Sequence, residues 1–252
     1  MQRRTLIVGN WKMHKTIAHA RELVRALLDD ASWHHVNADV VIAPPFTALA
    51  AVSRELGSAT KPMLGAQTMH WGEQGAYTGE ISPLMLLEVG CKYVILGHSE
   101  RRADEGETDL RVNLKVKSAL KHGITPIIAV GESVSEHEQG RAKERVCAQI
   151  LAALDGIDAE GRQRCVLAYE PIWAIGSGLA EDPRTADDVM ASIRNCDPAL
   201  AQVQILYGGS MKPGNVAGFV AQPNIDGGLV GGASLDAKTF AELIRNATVV
   251  AA

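Results

Sequence analysis

The stretch "CVLAYEPIW" (Cys165–Trp173) contains the pattern that decides the fold. Its first five residues, Cys165–Tyr169, are apolar or aromatic and predict a buried strand, and Glu170 follows directly where that strand ends. A continuous apolar run without polar alternation is typical of a parallel strand that is covered on both faces. The same unit, a short apolar strand that ends in a polar side chain, recurs along the chain.

Eight apolar runs alternate with amphipathic segments. The predicted strands are Leu6–Val8, Asp39–Ala43, Met63–Ala66, Tyr93–Leu96, Thr125–Val130, Cys165–Tyr169, Val203–Tyr207 and Gly227–Val230. The first predicted helix has Thr16 as its N-cap, because one helical face then carries Ile17, Ala20, Val24, Leu27 and Leu28. The other predicted helices are Phe46–Leu56, Ser82–Val89, Thr108–His122, Ser135–Ala153, Thr185–Asn195, Asn215–Val220 and Asp236–Arg245, with C-caps at Gly57, Gly90 and Gly123.

Eight alternating units fit either an open doubly wound sheet or a closed (β/α)8 barrel. No linker or change of composition divides the chain, which indicates one domain over residues 1–252. The unusual residues all follow predicted strands: "GNWKMHK" the first, "GHSERR" the fourth, Glu170 the sixth, "GGS" the seventh and "GGAS" the eighth. Barrel enzymes keep their active sites at this carboxyl-terminal face. The sequence therefore predicts a single α/β domain with the (β/α)8 barrel fold.

Bulk composition favours a cytoplasmic protein with an aliphatic core. Apolar residues make up 46% of the chain and aromatic residues only 4%. The net charge of −4 is mild and the basic residues are scattered, so we expect no binding to nucleic acid or membrane surfaces. No signal peptide or transmembrane segment is predicted. No metal site or disulfide framework is predicted either, because the four cysteines lie far apart, at Cys91, Cys147, Cys165 and Cys196.

Glu170 is a candidate general base. An isolated glutamate at a strand end is most simply a solvated loop carboxylate. Here Pro171 restricts Glu170 to extended backbone, and the apolar Trp173 and Ile175 that follow would remove water from the carboxylate. Desolvation raises the basicity of a carboxylate, which suits a base.

His98 and Lys12 are candidates for polarising and binding a substrate. A short helix starting at Ser99 would place its positive N-terminus beside His98 and favour a neutral imidazole that can donate to a carbonyl. Lys12 is most simply an ordinary surface lysine; as a functional residue it fits a fixed cation for an anionic substrate or a Schiff-base amine. Asn10 beside it is a neutral donor and acceptor.

The glycine-rich turns "YGGS" (Tyr207–Ser210) and "GLVGGAS" (Gly228–Ser234) predict a phosphate site. They follow the seventh and eighth strands, where barrels bind phosphate through backbone N–H groups. The chain has no Walker lysine motif and no GxGxxG, so a nucleotide is not indicated.

Five motifs in this order resemble those of the triosephosphate isomerase family. They are "GNWKM" (Gly9–Met13), "GHSERR" (Gly97–Arg102), "YEPIWAIGSG" (Tyr169–Gly178), "YGGS" and "GGLVGGASL" (Gly227–Leu235), and they run from the first strand to the last helix. The family is itself the standard case of a glutamate base beside a neutral histidine under a closing loop, so these roles come from the resemblance.

The resemblance implies interconversion of dihydroxyacetone phosphate and D-glyceraldehyde 3-phosphate through an enediolate, in glycolysis and gluconeogenesis. Glu170 is then the base and His98 the electrophile, while Asn10 orients the substrate and Lys12, paired with Glu100, stabilises the enediolate. Ile175 and Leu229 resemble the apolar clamp over the base, and the segment Trp173–Ser177 a lid. The backbone N–H groups implied to hold the phosphate are those of Gly176, Ser210, Gly231 and Gly232. No cofactor or metal is implied, because the reaction only relocates protons.

A homodimer is also implied. The segment Gly65–Ser82 resembles the long family loop that inserts into a neighbouring subunit, where Thr78 would brace Asn10 and Lys12; from its composition alone this loop fits a lid as well. Four positions depart from the common family pattern without removing a catalytic group: Thr68, Ala129, Ser177 and Leu179.

Three other functions remain open at this point. A Schiff-base aldolase would use Lys12 covalently. A non-catalytic barrel would bind a phosphosugar without turning it over. An isomerase of a longer phosphosugar, such as a tetrulose phosphate, would use the same residues.

Overall fold

The computed structural model describes residues 3–174 and 181–248. Eight parallel strands close into a barrel in chain order, and β1 pairs with both β2 and β8. The strands are β1 (Thr5–Asn10), β2 (Ala38–Ala43), β3 (Met63–Ala66), β4 (Tyr93–Leu96), β5 (Thr125–Val130), β6 (Val166–Tyr169), β7 (Ile205–Tyr207) and β8 (Gly227–Val230). Closure confirms the predicted barrel and excludes the open sheet.

Helices cover the outside of the barrel. They are α1 (Ile17–Asp29), α2 (Phe46–Leu56), α3 (Pro83–Glu88), α4 (Ser99–Asp104), α5 (Asp109–Lys121), α6 (Val134–Glu138), α7 (Ala142–Ala153), α8 (Ala159–Gln163), α9 (Pro183–Asn195), α10 (Val216–Val220) and α11 (Ala237–Asn246). Thr16 occupies the N-cap position of α1, but its side chain makes no capping hydrogen bond. The short helix α8 was not predicted.

The predicted continuous helix Ser135–Ala153 is wrong near its start, where the structure has a break. Helix α6 ends at Glu138, and α7 begins only at Ala142. Between them Gly140 has a φ of 66°, a left-handed conformation that stops a helix and that glycine adopts without strain. A capping box between Ser133 and Glu136 sets the start of α6.

The strands are apolar on both faces because the barrel has two separate cores. Leu6, Val8, Ala168 and Leu229 belong to the core inside the barrel. Ile7, one residue along β1, belongs to the larger core between strands and helices. Successive side chains of a strand point to opposite faces, so both sets must be apolar. Within the described residues, no helix is both long and apolar enough to cross a membrane.

Candidate active site

A cavity of about 580 Å³ lies at the carboxyl-terminal ends of the strands. It collects predicted side chains and backbone groups from β1, β4, β6, β7, β8 and the segments that follow them. The predicted residues that line it are Asn10, Lys12, His98, Glu170, Ser210, Leu229, Gly231 and Gly232. The fold therefore brings residues from distant parts of the chain to one rim.

Glu170 is held at the end of β6 by its own backbone and by two glycines. Its N–H donates to the carbonyl of Val130 at 2.8 Å, and the residue is only 2% exposed. A Cβ atom on Gly131 would lie 1.9 Å from the Glu170 carbonyl oxygen, and one on Gly208 would lie 2.7 Å from Glu170 Cγ. The position of this carboxylate thus depends on two neighbours without side chains.

The Glu170 carboxylate contacts His98 and the start of α4. Its Oε1 lies 3.0 Å from His98 Nε2, and its Oε2 accepts the Ser99 N–H at 2.8 Å. His98 is 6% exposed, so the pair is screened from bulk water. Base and electrophile candidates are therefore direct neighbours in one cavity.

The backbone of α4 sets the tautomer of His98. His98 Nδ1 accepts the N–H of Glu100 at 3.2 Å, which requires that Nδ1 carries no proton. The neutral ring then carries its proton on Nε2, the nitrogen that faces the cavity. The Glu100 carboxylate lies 3.7 Å from Nδ1, too far for a hydrogen bond. His98 is consequently arranged to donate one hydrogen bond from Nε2.

Burial and pairing act in opposite directions on both groups. Burial alone lowers the pKa of His98, but the charge and hydrogen bond of Glu170, together with the charge of Glu100, outweigh it and raise that pKa. Burial alone raises the pKa of Glu170, but the His98 ring and the Ser99 N–H outweigh it and lower that pKa. A ligand placed between the two side chains would break their contact and leave burial as the main influence. Glu170 would then become the stronger base that the sequence predicts.

Lys12 projects into the same cavity from a constrained backbone. Its φ of 51° is unusual for a residue with a side chain. Its N–H donates to Asn10 Oδ1 at 3.1 Å, and Gln67 Nε2 donates to its carbonyl at 2.8 Å. Lys12 Nζ lies 2.6 Å from Glu100 Oε1, the partner that the sequence predicts. These contacts position an ammonium group beside His98.

Backbone groups on the opposite side of the cavity suit a phosphate. Gly232 opens a 3-10 helix, whose first N–H groups have no acceptor within the helix. A Cβ on Gly231 would lie 3.5 Å from Lys12 Cε, so the Lys12 side chain passes directly over this turn. Ser210 lines the same cavity after β7. A cation and backbone donors thus converge as an anion site requires.

The remaining predicted residues fall in three places. Leu229 is 3% exposed and lines the cavity with Glu170. Ile175 and Gly176 lie outside the described residues, as do Ser177 and Leu179. Thr78 is exposed and lines a different cavity with Arg101, away from Asn10 and Lys12 of its own chain.

Two of the departures from the family pattern are buried. Thr68 Oγ1 accepts from Lys115 Nζ at 3.1 Å, in a buried group that includes the ion pair of Lys115 with Glu107. Ala129 packs inside the barrel, and its carbonyl accepts from Arg102.

Sequence reasoning missed several residues that position the site. Gln67 donates to the carbonyls of both Lys12 and Ala43, yet no local pattern distinguishes it. Ser99 was predicted only as the start of a helix. Gly131 and Gly208 could have been found, because each follows the end of a predicted strand. Lys212 and Thr239 also line the cavity.

Comparisons with known proteins agree with this geometry. Residues 5–247 match the family described as triosephosphate isomerase. The triosephosphate isomerase of Caldanaerobacter subterraneus subsp. tengcongensis is 49% identical over 249 residues, which covers 96% of this chain and 99% of the relative. That of Thermoanaerobacter pseudethanolicus is 48% identical over 249 residues with the same coverage. That of Picosynechococcus sp. is 48% identical over 243 residues, covering 96% of this chain and 99% of the relative.

Proposed function

The chain belongs to the triosephosphate isomerase family, and from this premise we propose how its residues isomerise a triose phosphate. The activity of the chain is the isomerisation of triose phosphate, which relatives near 48% identity over nearly the full length support. We propose that the substrates are dihydroxyacetone phosphate and D-glyceraldehyde 3-phosphate and that the residues of this cavity act on them. The observation that carries it is the contact between Glu170 Oε1 and His98 Nε2, 3.0 Å apart, in a cavity shared with Lys12.

The reaction moves one proton between two neighbouring carbons and one proton between the oxygens that these carbons carry. The Glu170 carboxylate removes a proton from the carbon beside the carbonyl, and the bonding electrons form an enediolate. His98 donates a hydrogen bond from Nε2 to the carbonyl oxygen, where the negative charge develops. His98 also carries a proton from the hydroxyl oxygen of the first carbon to the former carbonyl oxygen. Glu170 then returns its proton to the other carbon, so that atoms and charge balance. A positioned base contributes typically 10²–10⁴-fold to rate, and preorganised donors are often the larger effect.

Lys12 and the glycine turns hold the substrate during this transfer. The Lys12 ammonium neutralises charge on the substrate oxygens and phosphate, while Asn10 orients it. Backbone N–H groups of Ser210, Gly231 and Gly232 receive the phosphate. The Schiff-base alternative is disfavoured because Lys12 Nζ is engaged in an ion pair with Glu100 at 2.6 Å and is not free to attack a carbonyl.

A coupled assay with glyceraldehyde 3-phosphate, run beside a four-carbon analogue, tests the proposal. The triose should be turned over and the four-carbon analogue much more slowly. Glu170→Gln should lower kcat by orders of magnitude while binding of a phosphate analogue survives. Turnover near the wild-type value in this variant contradicts the role of Glu170. Borohydride treatment with a ketose phosphate should trap no adduct on Lys12.

We also propose that the protein forms a homodimer through the Gly65–Ser82 loop. A second cavity of about 350 Å³ adjoins the active site and is lined by Asn10, Lys12, Met13 and Thr68, among others. Met13, which lines this cavity, is 95% exposed, and Tyr77, in the Gly65–Ser82 loop, is 49% exposed. Thr78 of a second copy would enter this cavity and brace Asn10 and Lys12. Four unpaired cysteines fit the reducing cytoplasm that we propose as its compartment.

Light scattering of Thr78→Arg tests the dimer. The larger, charged side chain should shift the protein towards the monomer, and kcat should fall as the dimer is lost. Ala152→Arg, on the exposed face of α7, is the control and should leave both unchanged. A fully dimeric Thr78→Arg protein contradicts the proposed contact.

A further inference from the structure

Two buried carboxyl groups lie behind the catalytic base and take no part in the proposed reaction. Glu132 follows β5 and is fully buried, and Glu181 precedes α9 and is 4% exposed. Burying two acidic side chains near one another is unfavourable unless something compensates their charges. Their surroundings therefore indicate what compensates them.

Glu132 ties down the chain on both sides of Glu170. Its Oε1 accepts the Tyr169 hydroxyl at 3.1 Å and the Trp173 indole N–H at 2.8 Å. Tyr169 precedes the base directly, and Trp173 follows it within the same short segment. The ring of His137 stacks on Trp173, with centroids 4.2 Å apart, and its Nδ1 lies 3.5 Å from Glu132 Oε1. Glu132 thus fixes the path of the backbone that carries Glu170.

The other oxygens of the two carboxyl groups lack a donor at hydrogen-bond distance. Among the described residues, Glu132 Oε2 and both side-chain oxygens of Glu181 are buried without a hydrogen-bond partner. The Tyr169 hydroxyl also lies towards Glu181, but it donates to Glu132 Oε1. The backbone N–H of Glu181 donates to the Tyr207 hydroxyl oxygen at 3.2 Å, which places this tyrosine beside Glu181. A proton held by one carboxyl would give these oxygens the donor that they lack.

Among the described residues, the charged and titratable groups around the pair supply no fixed cation. Glu132 faces Glu181, His137, Tyr169 and Tyr207. Glu181 faces Glu132, Tyr169, Tyr207 and Asp182. Burial and the charge of Glu132 together raise the pKa of Glu181 to about 7, and burial raises the pKa of Glu132 as well. Within the described ranges, no set of three or more His, Cys, Asp or Glu side chains could hold a metal ion.

We propose that Glu132 and Glu181 share a single proton at neutral pH and that, while they share it, they are positioning residues for Glu170. This inference rests on the proposed role of Glu170 as base. With the proton present the pair carries one negative charge, and Glu132 keeps its Oε1 for Tyr169 and Trp173. When the proton leaves to solvent the pair carries two charges, and their repulsion separates the carboxyl groups. The anchors on both sides of Glu170 weaken, and the base is held less accurately.

Glu181→Gln tests the proposal because an amide imitates the protonated carboxyl in size and neutrality. The kcat of the wild type should fall roughly threefold to tenfold as the pH rises through the titration of the pair, with KM unchanged, since small displacements of a base cost rate rather than binding. The variant should keep its kcat over the same range. Glu138→Gln, the same change at an exposed neighbouring site, should follow the wild type. A Glu181→Gln profile identical to that of the wild type overturns the positioning role.

Infrared spectroscopy measures the shared proton without reference to catalysis. The carbonyl stretch of a protonated carboxyl group should be present below the titration of the pair, disappear above it, and be missing in Glu181→Gln. In Glu132→Gln, which removes the neighbouring charge, the band should titrate at lower pH. A wild type without this band overturns the shared proton. A band that titrates in a protein without triose-phosphate turnover would refute the proposed function and leave the proton pair standing.

Discussion

The Glu170 carboxylate and the His98 ring are in direct contact, with Oε1 3.0 Å from Nε2, although they belong to the ends of different strands. In this contact each group stabilises the charged form of the other, and each is buried, which favours the neutral form. In the proposed mechanism, the substrate has to separate them before Glu170 can act as a base. In the resting site this contact keeps the Glu170 carboxylate a weak base, and separation from His98 would make it a stronger one.

His98→Gln should move the acidic limb of the pH profile to higher pH. The pKa of Glu170 lies below its ordinary value of 4.5 because His98 and the Ser99 N–H outweigh burial. Without the ring, burial is opposed mainly by Ser99, so the pKa rises. Because the base must be ionised, activity is then lost earlier as the pH falls. Profiles of kcat/KM for this variant and for the exposed control His14→Gln measure the shift; a limb that stays in place contradicts the coupling.

Gly208→Ala should impair catalysis far more than it destabilises the fold. The new Cβ would lie 2.7 Å from Glu170 Cγ and 3.0 Å from the Tyr169 carbonyl oxygen, so the base must move. A displacement of this kind costs about 100-fold in kcat. Gly214→Ala is the matched control, since a Cβ there has no heavy atom within 4 Å. Equal kcat values for the two variants would show that Gly208 does not set the position of Glu170.

Lys12→Met should lower kcat and also lower the affinity for a phosphate analogue. It removes the ammonium beside Glu100 and the glycine turn, and a hydrogen bond to a charged group contributes about 1.5–3 kcal/mol. Affinity for a phosphate analogue should therefore fall by roughly tenfold to a hundredfold, in contrast to Glu170→Gln. Lys143→Met removes a surface lysine paired with Asp188 and should change nothing. Titration calorimetry gives the comparison, and unaltered affinity in Lys12→Met argues against its role.

Lys115→Met should be strongly destabilising. Lys115 and Glu107 form a buried ion pair, 5% and 4% exposed, to which Thr68 also contributes. Removing one partner leaves an uncompensated charge and costs about 3–5 kcal/mol. Lys121→Met breaks the exposed pair with Glu73 and should cost under about 1 kcal/mol. Urea unfolding at fixed protein concentration measures both, and similar losses would contradict the assignment.

Glu181→Gln should stabilise the protein at alkaline pH relative to the wild type. The folded-state pKa of Glu181, about 7, lies above its ordinary 4.5, so the folded protein binds more protons between these values. This contribution is full below pH 4.5 and is lost as the pH rises through 7. The wild type should therefore lose about 2 kcal/mol between pH 5 and pH 8 relative to the variant. Urea unfolding at the two pH values measures this loss. A difference in unfolding free energy between wild type and variant that is the same at both pH values contradicts the raised pKa.

The sequence predicted the barrel because the patterns that indicate its strands and helices each lie within a short stretch of the chain. Every predicted strand is present, and four have the same bounds as predicted, among them Tyr93–Leu96 and Gly227–Val230. The break between α6 and α7 was missed because Gly140 stops the helix through its backbone conformation, which the apolar pattern of the flanking residues does not reveal. The candidate site was found because its residues immediately follow strands that all end at one face.

By itself, the sequence determined that Asn10, Lys12, His98, Glu170 and the glycine turns would share one rim, since parallel strands in a closed barrel leave no other arrangement. Only the tertiary structure decided how these groups touch: the Ser99 N–H on Glu170, the Glu100 N–H that selects the tautomer of His98, and Gln67 on the Lys12 carbonyl. The same holds for Glu132 and Glu181, which are distant in the chain. Their electrostatic coupling depends on distance and burial, and these exist only once the chain has folded.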